Sequence, residues 1–291
     1  MDLKKTGESI VERFLAFCAF LSVLSVVFIT VFIFLEGIPL FEVTGVFDFL
    51  FGTVWEPTGD PARYGIVPFI AGSLWVTAGS LILALPIGLS VGIFMAEYAK
   101  GVFARAVRSV VELLAGIPSV IYGLFGYIAI APIIRATTSS NTGLGITTAS
   151  IVLAIMVLPT IINITEVSLR AVPAELKEAS LALGATHWHT IVHTLIPAAR
   201  SGIMAGVVLG MGRSIGETMA VLMVAGNAVK MPSGPLSLTR TLTMNVATDM
   251  SYASGYHWTS LFTTGMVLFF FILIINITVQ ILMKRAVKDM K

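Results

Sequence analysis

Six stretches of this chain each run for about 18 residues or more with almost no charge, the length a helix needs to cross the hydrocarbon core of a bilayer. They lie near Phe14–Leu35, Ile66–Ala96, Val102–Ile134, Thr147–Leu169, Ala199–Asn227 and Thr259–Met283. Lipid offers no partner to backbone N–H and C=O groups, so each stretch must close its own hydrogen bonds as a helix. The chain therefore reads as an all-α, polytopic membrane protein with six transmembrane helices. Composition agrees: 56% of the 291 residues are apolar and only 12% charged, whereas a soluble domain carries roughly 25% charge. The second, third and fifth stretches exceed the minimum, which predicts tilt, kinks or ends projecting into water. The first is too long for a signal-peptide core. Leu35-Glu36-Gly37-Ile38-Pro39 offers no small-x-small cleavage site, so this stretch reads as a retained anchor. The single cysteine, Cys18, lies in an apolar run and reads as a small hydrophobe.

Lysine and arginine set the orientation. With six crossings and both ends on one side, that side holds Lys4, Lys5, Arg13, Lys100, Arg105, Arg108, Arg170, Lys177, Arg200, Lys284, Arg285, Lys288 and Lys291. The other side holds only Arg63, Arg135, Lys230 and Arg240, and Arg213 falls inside the membrane. Short cytoplasmic loops carry the excess of positive charge, so both termini and the 171–198 loop are expected in the cytoplasm. The loops 36–65 and 228–258 are expected outside. Residues 1–291 read as one membrane domain. In the first outer loop, Phe47, Phe49, Phe51 and Trp55 stand among turn formers, and aromatics next to a span read as headgroup-level anchors. In the second, Leu236–Met250 is the more regular part.

Glycine and proline mark where helices meet and where they break. Gly202, Gly206 and Gly210 recur every four residues in the fifth stretch, Gly212 and Gly216 form a second pair, and Gly88 and Gly92 repeat the spacing in the second. Small residues four apart let helix backbones approach closely, either inside this chain or against another subunit. Pro86, Pro118, Pro132 and Pro159 remove backbone donors within or near spans. The Gly116-Ile117-Pro118-Ser119 step is the foremost candidate for a kink that lines a path, because such breaks persist only where neighbours or a wet cavity satisfy the freed carbonyls.

Two charges stand inside the fifth stretch, Arg213 and Glu217, one helical turn apart and expected on one face. A mid-membrane arginine costs about 2.5–3.5 kcal/mol on insertion scales, so it is expected to face a cavity and to serve transport. Its fork suits an oxyanion, and Glu217 is expected to compete with that anion for Arg213 as a gate. The plainer alternative is a neutralised pair that joins two helices. Gly212-Arg213-Ser214-Ile215-Gly216 matches a nucleophile-elbow pattern, but it lies in an apolar helix without the strand–turn–helix setting that the motif needs. His187, His189 and His193 lack a Cys or Glu at ligand spacing, and they read as a polar face that meets a partner. No G-x-x-x-x-G-K-[ST] occurs, so this chain has no loop to cradle ATP.

The polar interruption between the fourth and fifth stretches reads as a helical elbow. Pro173 suits a helix start and Glu175 favours the dipole of the first turn. Gly184 suits the left-handed residue that ends a helix, and Pro197 marks entry to the next span. Leu176, Leu181, Leu183 and Ile191 could offer an apolar face. Local physics leaves a docking element and a surface-lying connector equally open.

Glu178-Ala179-Ser180, three residues, Gly184, nine residues, then Thr194-x-Ile196-Pro197 resembles the EAA motif of permease subunits of binding-protein-dependent ABC importers. It departs from Glu-Ala-Ala…Gly…Ile-x-Leu-Pro at Ser180, Thr194 and Ile196. The stretch from Glu112 to Gly123 resembles the signature of phosphate-import permeases. Gly212 to Val221, ending in Ala225-Gly226-Asn227, is similar to the PstC type, as are Trp55-Glu56-Pro57 and the run from Gly65 to Leu74. The likeness implies a type I ABC importer (MetI-like) permease fold, with Glu178, Ala179, Ser180, Gly184, Ile196 and Pro197 in the element that couples to an ATPase. It implies partners: a PstA-like permease, a dimeric ABC ATPase that binds the ATP–magnesium, an external phosphate-binding protein, inorganic phosphate and the lipid bilayer. It also implies that Arg213 and Glu217 are critical for transport, with Ser119 and Tyr122 as further candidates along the path. No cofactor, metal or nucleic acid is expected on this chain, and no enzymatic activity of its own. The alternatives are a permease for sulfate or molybdate, or an ion-coupled transporter or channel without an ATPase, which leaves residues 178–197 unexplained.

Overall fold

The computed structural model describes residues 2–288, so Lys291, counted above among the basic residues of one side, lies outside the described residues. Helix α1 (Asp2–Gly37) leads through a 3-10 turn (Ile38–Glu42) to the short α2 (Val46–Phe51) and a hairpin, β1 (Trp55–Glu56) with β2 (Arg63–Tyr64). The hairpin is antiparallel, with Trp55 opposite Tyr64. It is followed by α3 (Val67–Glu97), α4 (Gly101–Gly116), α5 (Ser119–Phe125), a π-helical turn (Gly126–Ile130) and α6 (Ala131–Thr137). The long α7 (Ile146–Arg170) precedes α8 (Ala174–Ala182), α9 (His187–Thr190) and a second π-helical turn (Ile191–Leu195). Then come α10 (Ile196–Gly216), α11 (Met219–Val224), α12 (Leu242–Asp249) and α13 (Tyr256–Lys288). Among the described residues, six helical runs are long and apolar enough to cross a membrane: Val11–Glu42, Val67–Glu97, Ser119–Thr137, Ile146–Arg170, His187–Gly216 and Tyr256–Thr278.

The core is built around α7. Two thirds (67%) of its apolar window is buried inside the protein, against none of the window of the first crossing. Lipid is as apolar as leucine, so close van der Waals packing has to hold these helices together. Glycine makes it possible on both sides of α7. A Cβ at Gly88 or Gly92 of α3 would come within 2.8 Å of Ile161 Cγ2 or 2.6 Å of Thr165 Cβ. On the opposite side, Gly206 and Gly210 of α10 lie against Ile164 and Ile161, where a Cβ would sit at 3.0 and 3.1 Å, and Gly202 abuts Ser168. The glycine spacing in these helices is therefore an internal packing device. Gly212 and Gly216 differ, since a Cβ there meets nothing within 4 Å. Helix α1 stands outside this core and packs on α13, with Phe32 edge-on to Phe262 at 5.7 Å.

Three expectations change. The third stretch is two helices: α4 ends at Gly116, Ile117 and Pro118 are extended (ψ 127° and 142°), and α5 restarts at Ser119. Proline disfavours helical geometry in the residue before it, so Ile117 leaves the helix. The fifth stretch likewise ends at Gly216 rather than running on to Asn227. Of the four loop aromatics, Phe49 and Trp55 are buried in a far-end cluster with Leu40, Tyr64, Ile66, Phe69, Leu242 and Leu261. Only Phe47 and Phe51 remain exposed as anchors, with their rings stacked at 6.1 Å.

Candidate functional site

The two interrupted crossings lie side by side. Helices α5 and α11 pack so closely that a Cβ at Gly123 would sit 2.9 Å from Met223 Sδ and 3.0 Å from Ala220 Cα. The two helices therefore run side by side from just after their breaks, Gly123 against Ala220 and Gly126 against Val224. The break before α5 is braced by Tyr122, whose buried hydroxyl donates to Leu114 O at 2.7 Å. That bond satisfies a carbonyl that the end of α4 would leave without a partner. The break before α11 is braced twice around Glu217: Ala220 N donates to its Oε1 at 3.0 Å, and Thr243 Oγ1 donates to its backbone carbonyl at 2.9 Å.

Arg213 occupies the last turn of α10 beside these breaks, is exposed, and is close enough to act electrostatically on Tyr122. The expected same-face pair with Glu217 does not form. Gly216 ends the helix, Glu217 is extended (φ −70°, ψ 132°), and among the described residues no ion pair joins the two side chains. Ser119 stands half-buried at the start of α5. Arg213 thus presents an exposed guanidinium beside the breaks, while the N-terminus of α11 is already met by the Glu217 carboxylate. Irregular backbone at membrane depth persists where it is buried in protein or lines a wet cavity.

The elbow forms as a helix, a glycine break and a second helix. Pro173 is the residue just before α8, and Gly184 takes the left-handed conformation (φ +86°) that only glycine adopts freely. Thr186 caps α9 by accepting from His189 N at 3.2 Å. Glu178 and Ala179 lie on α8, and Ile196 and Pro197 open α10. Two of the motif departures face each other: Ser180 Oγ bonds the buried Thr190 Oγ1 at 2.9 Å, and Thr194 Oγ1 donates to Ser180 Oγ at 3.4 Å. Ser180 therefore ties the two halves of the elbow together, which alanine could not do. Leu176, Leu181 and Leu183 are exposed as expected, Leu183 at 90%. Ile191 is instead fully buried in a cluster with Leu169, Leu195, Ala199 and Ile203, because the π-helical turn rolls it inward. Trp188, unremarked in the sequence, joins the exposed apolar face.

The sequence reading also passes over Glu166, a lone carboxylate in the apolar run of α7. Its Oε1 accepts from Arg108 of α4 and from Arg170 Nε at 3.0 Å, and Arg170 Nη2 donates to Met95 O at 2.8 Å. At the far end of the molecule, Asp249 is the hub of a buried network. Arg240 Nη1 donates to it at 3.0 Å, Trp55 Nε1 at 3.3 Å, Tyr252 donates its hydroxyl, and His257 Nε2 lies at 3.2 Å. Burial alone would raise the Asp249 carboxyl. Its hydrogen bond from Tyr252, the Arg240 charge and the bonds to His257 and Trp55 outweigh that and hold it below the usual aspartate range. Arg240 also donates through Nε to Asn227 Oδ1 at 2.7 Å, which holds Asn227 at its left-handed φ of 54°. Among the described residues no group of three His, Cys, Asp or Glu side chains is placed to hold a metal.

Known proteins resemble this chain in sequence and in fold. The family model described as "binding-protein-dependent transport system inner membrane component" matches residues 88–291. A Bacillus subtilis (strain 168) protein named probable ABC transporter permease protein YqgH is 40% identical over 267 residues, 89% of this chain and 86% of its own length. The phosphate transport system permease protein PstC of Mesorhizobium japonicum is 34% identical over 243 residues, covering 77% of this chain and 74% of that protein. PstC of Pasteurella multocida is 32% identical over 261 residues, covering 83% and 81%. Among solved structures, an inward-facing MetNI methionine ABC transporter superposes with a TM-score of 0.56 at 21% identity, covering 77% of this chain and 96% of that one. A bacterial ABC transporter that imports alginate gives 0.57 at 13% identity, covering 75% and 80%. At those identities the structures speak for the fold alone, the MetI-like permease fold. The resemblance read from the motifs stands, and the chain belongs to the binding-protein-dependent transport family of inner membrane components, as a multi-pass permease of the ABC importer type.

Proposed function

We propose that this permease carries inorganic phosphate into the cell. The observation that carries this reading is Arg213, an exposed guanidinium without an ion pair among the described residues, set on an apolar helix beside two interrupted crossings. A planar fork matches phosphate oxygens two at a time, and the relatives named PstC are phosphate transport permeases. The open strip at Gly212 and Gly216 leaves room beside Arg213 for the solute and for a PstA-like partner permease.

The excess of lysine and arginine on the elbow side supports a cytoplasmic elbow and cytoplasmic termini. Leu176, Leu181, Leu183 and Trp188 then seat in a dimeric ABC ATPase. This chain has no phosphate-binding loop of its own, so ATP–magnesium binds on that ATPase. An external phosphate-binding protein delivers the anion to the opposite end. Binding and hydrolysis of ATP move the elbow, and the path past Arg213 opens alternately to either side. Phosphate crosses without chemical change.

The test is ATP-driven uptake of labelled phosphate into lipid vesicles that hold the assembled complex, with sulfate as competitor. Uptake that needs ATP and the binding protein and ignores excess sulfate supports the reading. Strong competition by sulfate moves the substrate to another oxyanion, and phosphate uptake without ATP removes the coupling role of the elbow.

A further inference from the structure

We propose that Glu97 is a positioning residue that fastens both halves of the elbow to α3, so that elbow and α3 move as one body. Glu97 is the last residue of α3, and its side chain is only 8% exposed. Its Oε2 accepts from Lys177 Nζ of α8 at 2.5 Å and lies 3.7 Å from His187 Nε2 of α9. One carboxylate oxygen therefore spans the Gly184 break, contacting the helix on either side of it. The next residue, Tyr98, adds an edge-to-face contact with the His187 ring at 5.1 Å. Arg170, the last residue of α7, bonds Met95 O two residues before Glu97.

What α3 receives, it can pass on. Gly92, little more than a turn before Glu97, lies against Thr165 and Ile162 of α7, and Gly88 lies against Ile161. The other side of α7 meets Gly202, Gly206 and Gly210 of α10, the helix that carries Arg213. Interfaces packed this tightly transmit a displacement and do not absorb it. The route from elbow to solute thus runs through Glu97, α3, α7 and α10. The Ser180 contacts and the π-helical turn Ile191–Leu195 join the elbow to α10, and Glu97 adds a second hold, on α3.

The inference rests on the reading of the elbow as the ATPase-docking element, and the experiment separates the two. In the assembled complex in lipid, with Cys18→Ser, spin labels replace the exposed Ala174 of α8 and Ile87 of α3, neither on the docking face, and their distance distribution is recorded with and without nucleotide. The native pair of elements is expected to give one narrow distribution in both conditions. Glu97→Gln, and independently Lys177→Gln, should broaden it. Lys177 and His187 are 35% and 37% exposed, so water solvates them when the carboxylate is lost and the fold survives. The exchanged pair Glu97→Lys with Lys177→Glu should narrow the distribution again. In parallel, solute moved per ATP should fall about tenfold in Glu97→Gln, within the range of allosteric couplings, and recover in the exchange. A distribution that stays narrow in Glu97→Gln, or an exchange that restores nothing, overturns the proposal. A native complex that hydrolyses ATP without moving solute overturns the docking reading instead, and the label distances still report on Glu97.

Discussion

The two ends of this permease are both held by buried carboxylates, but the cations that meet them differ. At the far end Asp249 and its partner Arg240 are both buried, with Trp55, Tyr252 and His257 around them. At the elbow end Glu97 and Glu166 are equally buried, yet their partners Lys177, Arg108 and Arg170 are 35%, 52% and 49% exposed. A buried charge has no water to fall back on, so the Arg240–Asp249 pair tolerates one arrangement only. A half-exposed cation stays hydrated when its carboxylate is taken away, so losing the carboxylate at this end leaves no buried charge behind. The far end is therefore a fixed platform, and the elbow end is where ion pairs can be remade as the molecule moves.

Removing the far-end hub should produce the largest effect. Asp249→Asn leaves Arg240 buried without its counter-charge and should cost about 3–5 kcal/mol of stability, read as a lowered thermal midpoint of the purified protein. Glu97→Gln should shift that midpoint far less, because Lys177, left behind, is 35% exposed and stays hydrated. Equal losses at the two ends would break the comparison.

The glycine contacts between the two ends come next. Gly92→Val places new methyls against Thr165, where even a Cβ stands 2.6 Å away, and should cost about 1–3 kcal/mol by overpacking. Gly212→Ala meets open space and should stay within about 0.5 kcal/mol of wild type. Comparing the thermal midpoints of the two variants tests whether the glycines packed on α7 and the open strip of α10 differ as described.

Acid sharpens the contrast further. The Asp249 carboxyl is held below its ordinary value of 3.8 in the folded protein. Its contribution is complete above that value and is lost as the pH falls through the lower, folded one. The stability gap between wild type and Asp249→Asn should accordingly persist at neutral pH and shrink below about pH 4; a gap that grows on acidification would contradict the assignment. A modest effect belongs to the elbow: Ser180→Ala should cost about 0.5–1.5 kcal/mol, one hydrogen bond's worth. Adding Thr194→Ile should cost less than it does alone, because the two hydroxyls share one contact.

The six crossings, the elbow and its glycine break were legible because each depends on local composition: long uncharged runs, a left-handed glycine, prolines at helix starts. The break after Gly116 was legible for the same reason, through Pro118. The end of α10 was not. Gly216-Glu217-Thr218 sits in an otherwise continuous apolar run, and what stops the helix is Glu217 capping α11 and Thr243 holding its carbonyl, partners that come from the next helix and from α12. The far-end hub was invisible for a stronger reason, since Trp55 meets Asp249 across 194 residues of sequence. The burial of Ile191 depends on a π-helical turn that shifts the helix face, and no apolar periodicity signals such a turn in advance.

The central claim is that an unpaired Arg213 beside the two interrupted crossings carries the anion. The most direct measurement is phosphate uptake by the assembled complex with Arg213→Gln, alongside its thermal midpoint. Arg213 is exposed and makes no ion pair among the described residues, so the midpoint should not move. Uptake should fall roughly tenfold to a hundredfold, the loss of one charge-assisted contact to the solute. Uptake within about twofold of wild type, in a variant of unchanged stability, would contradict the account.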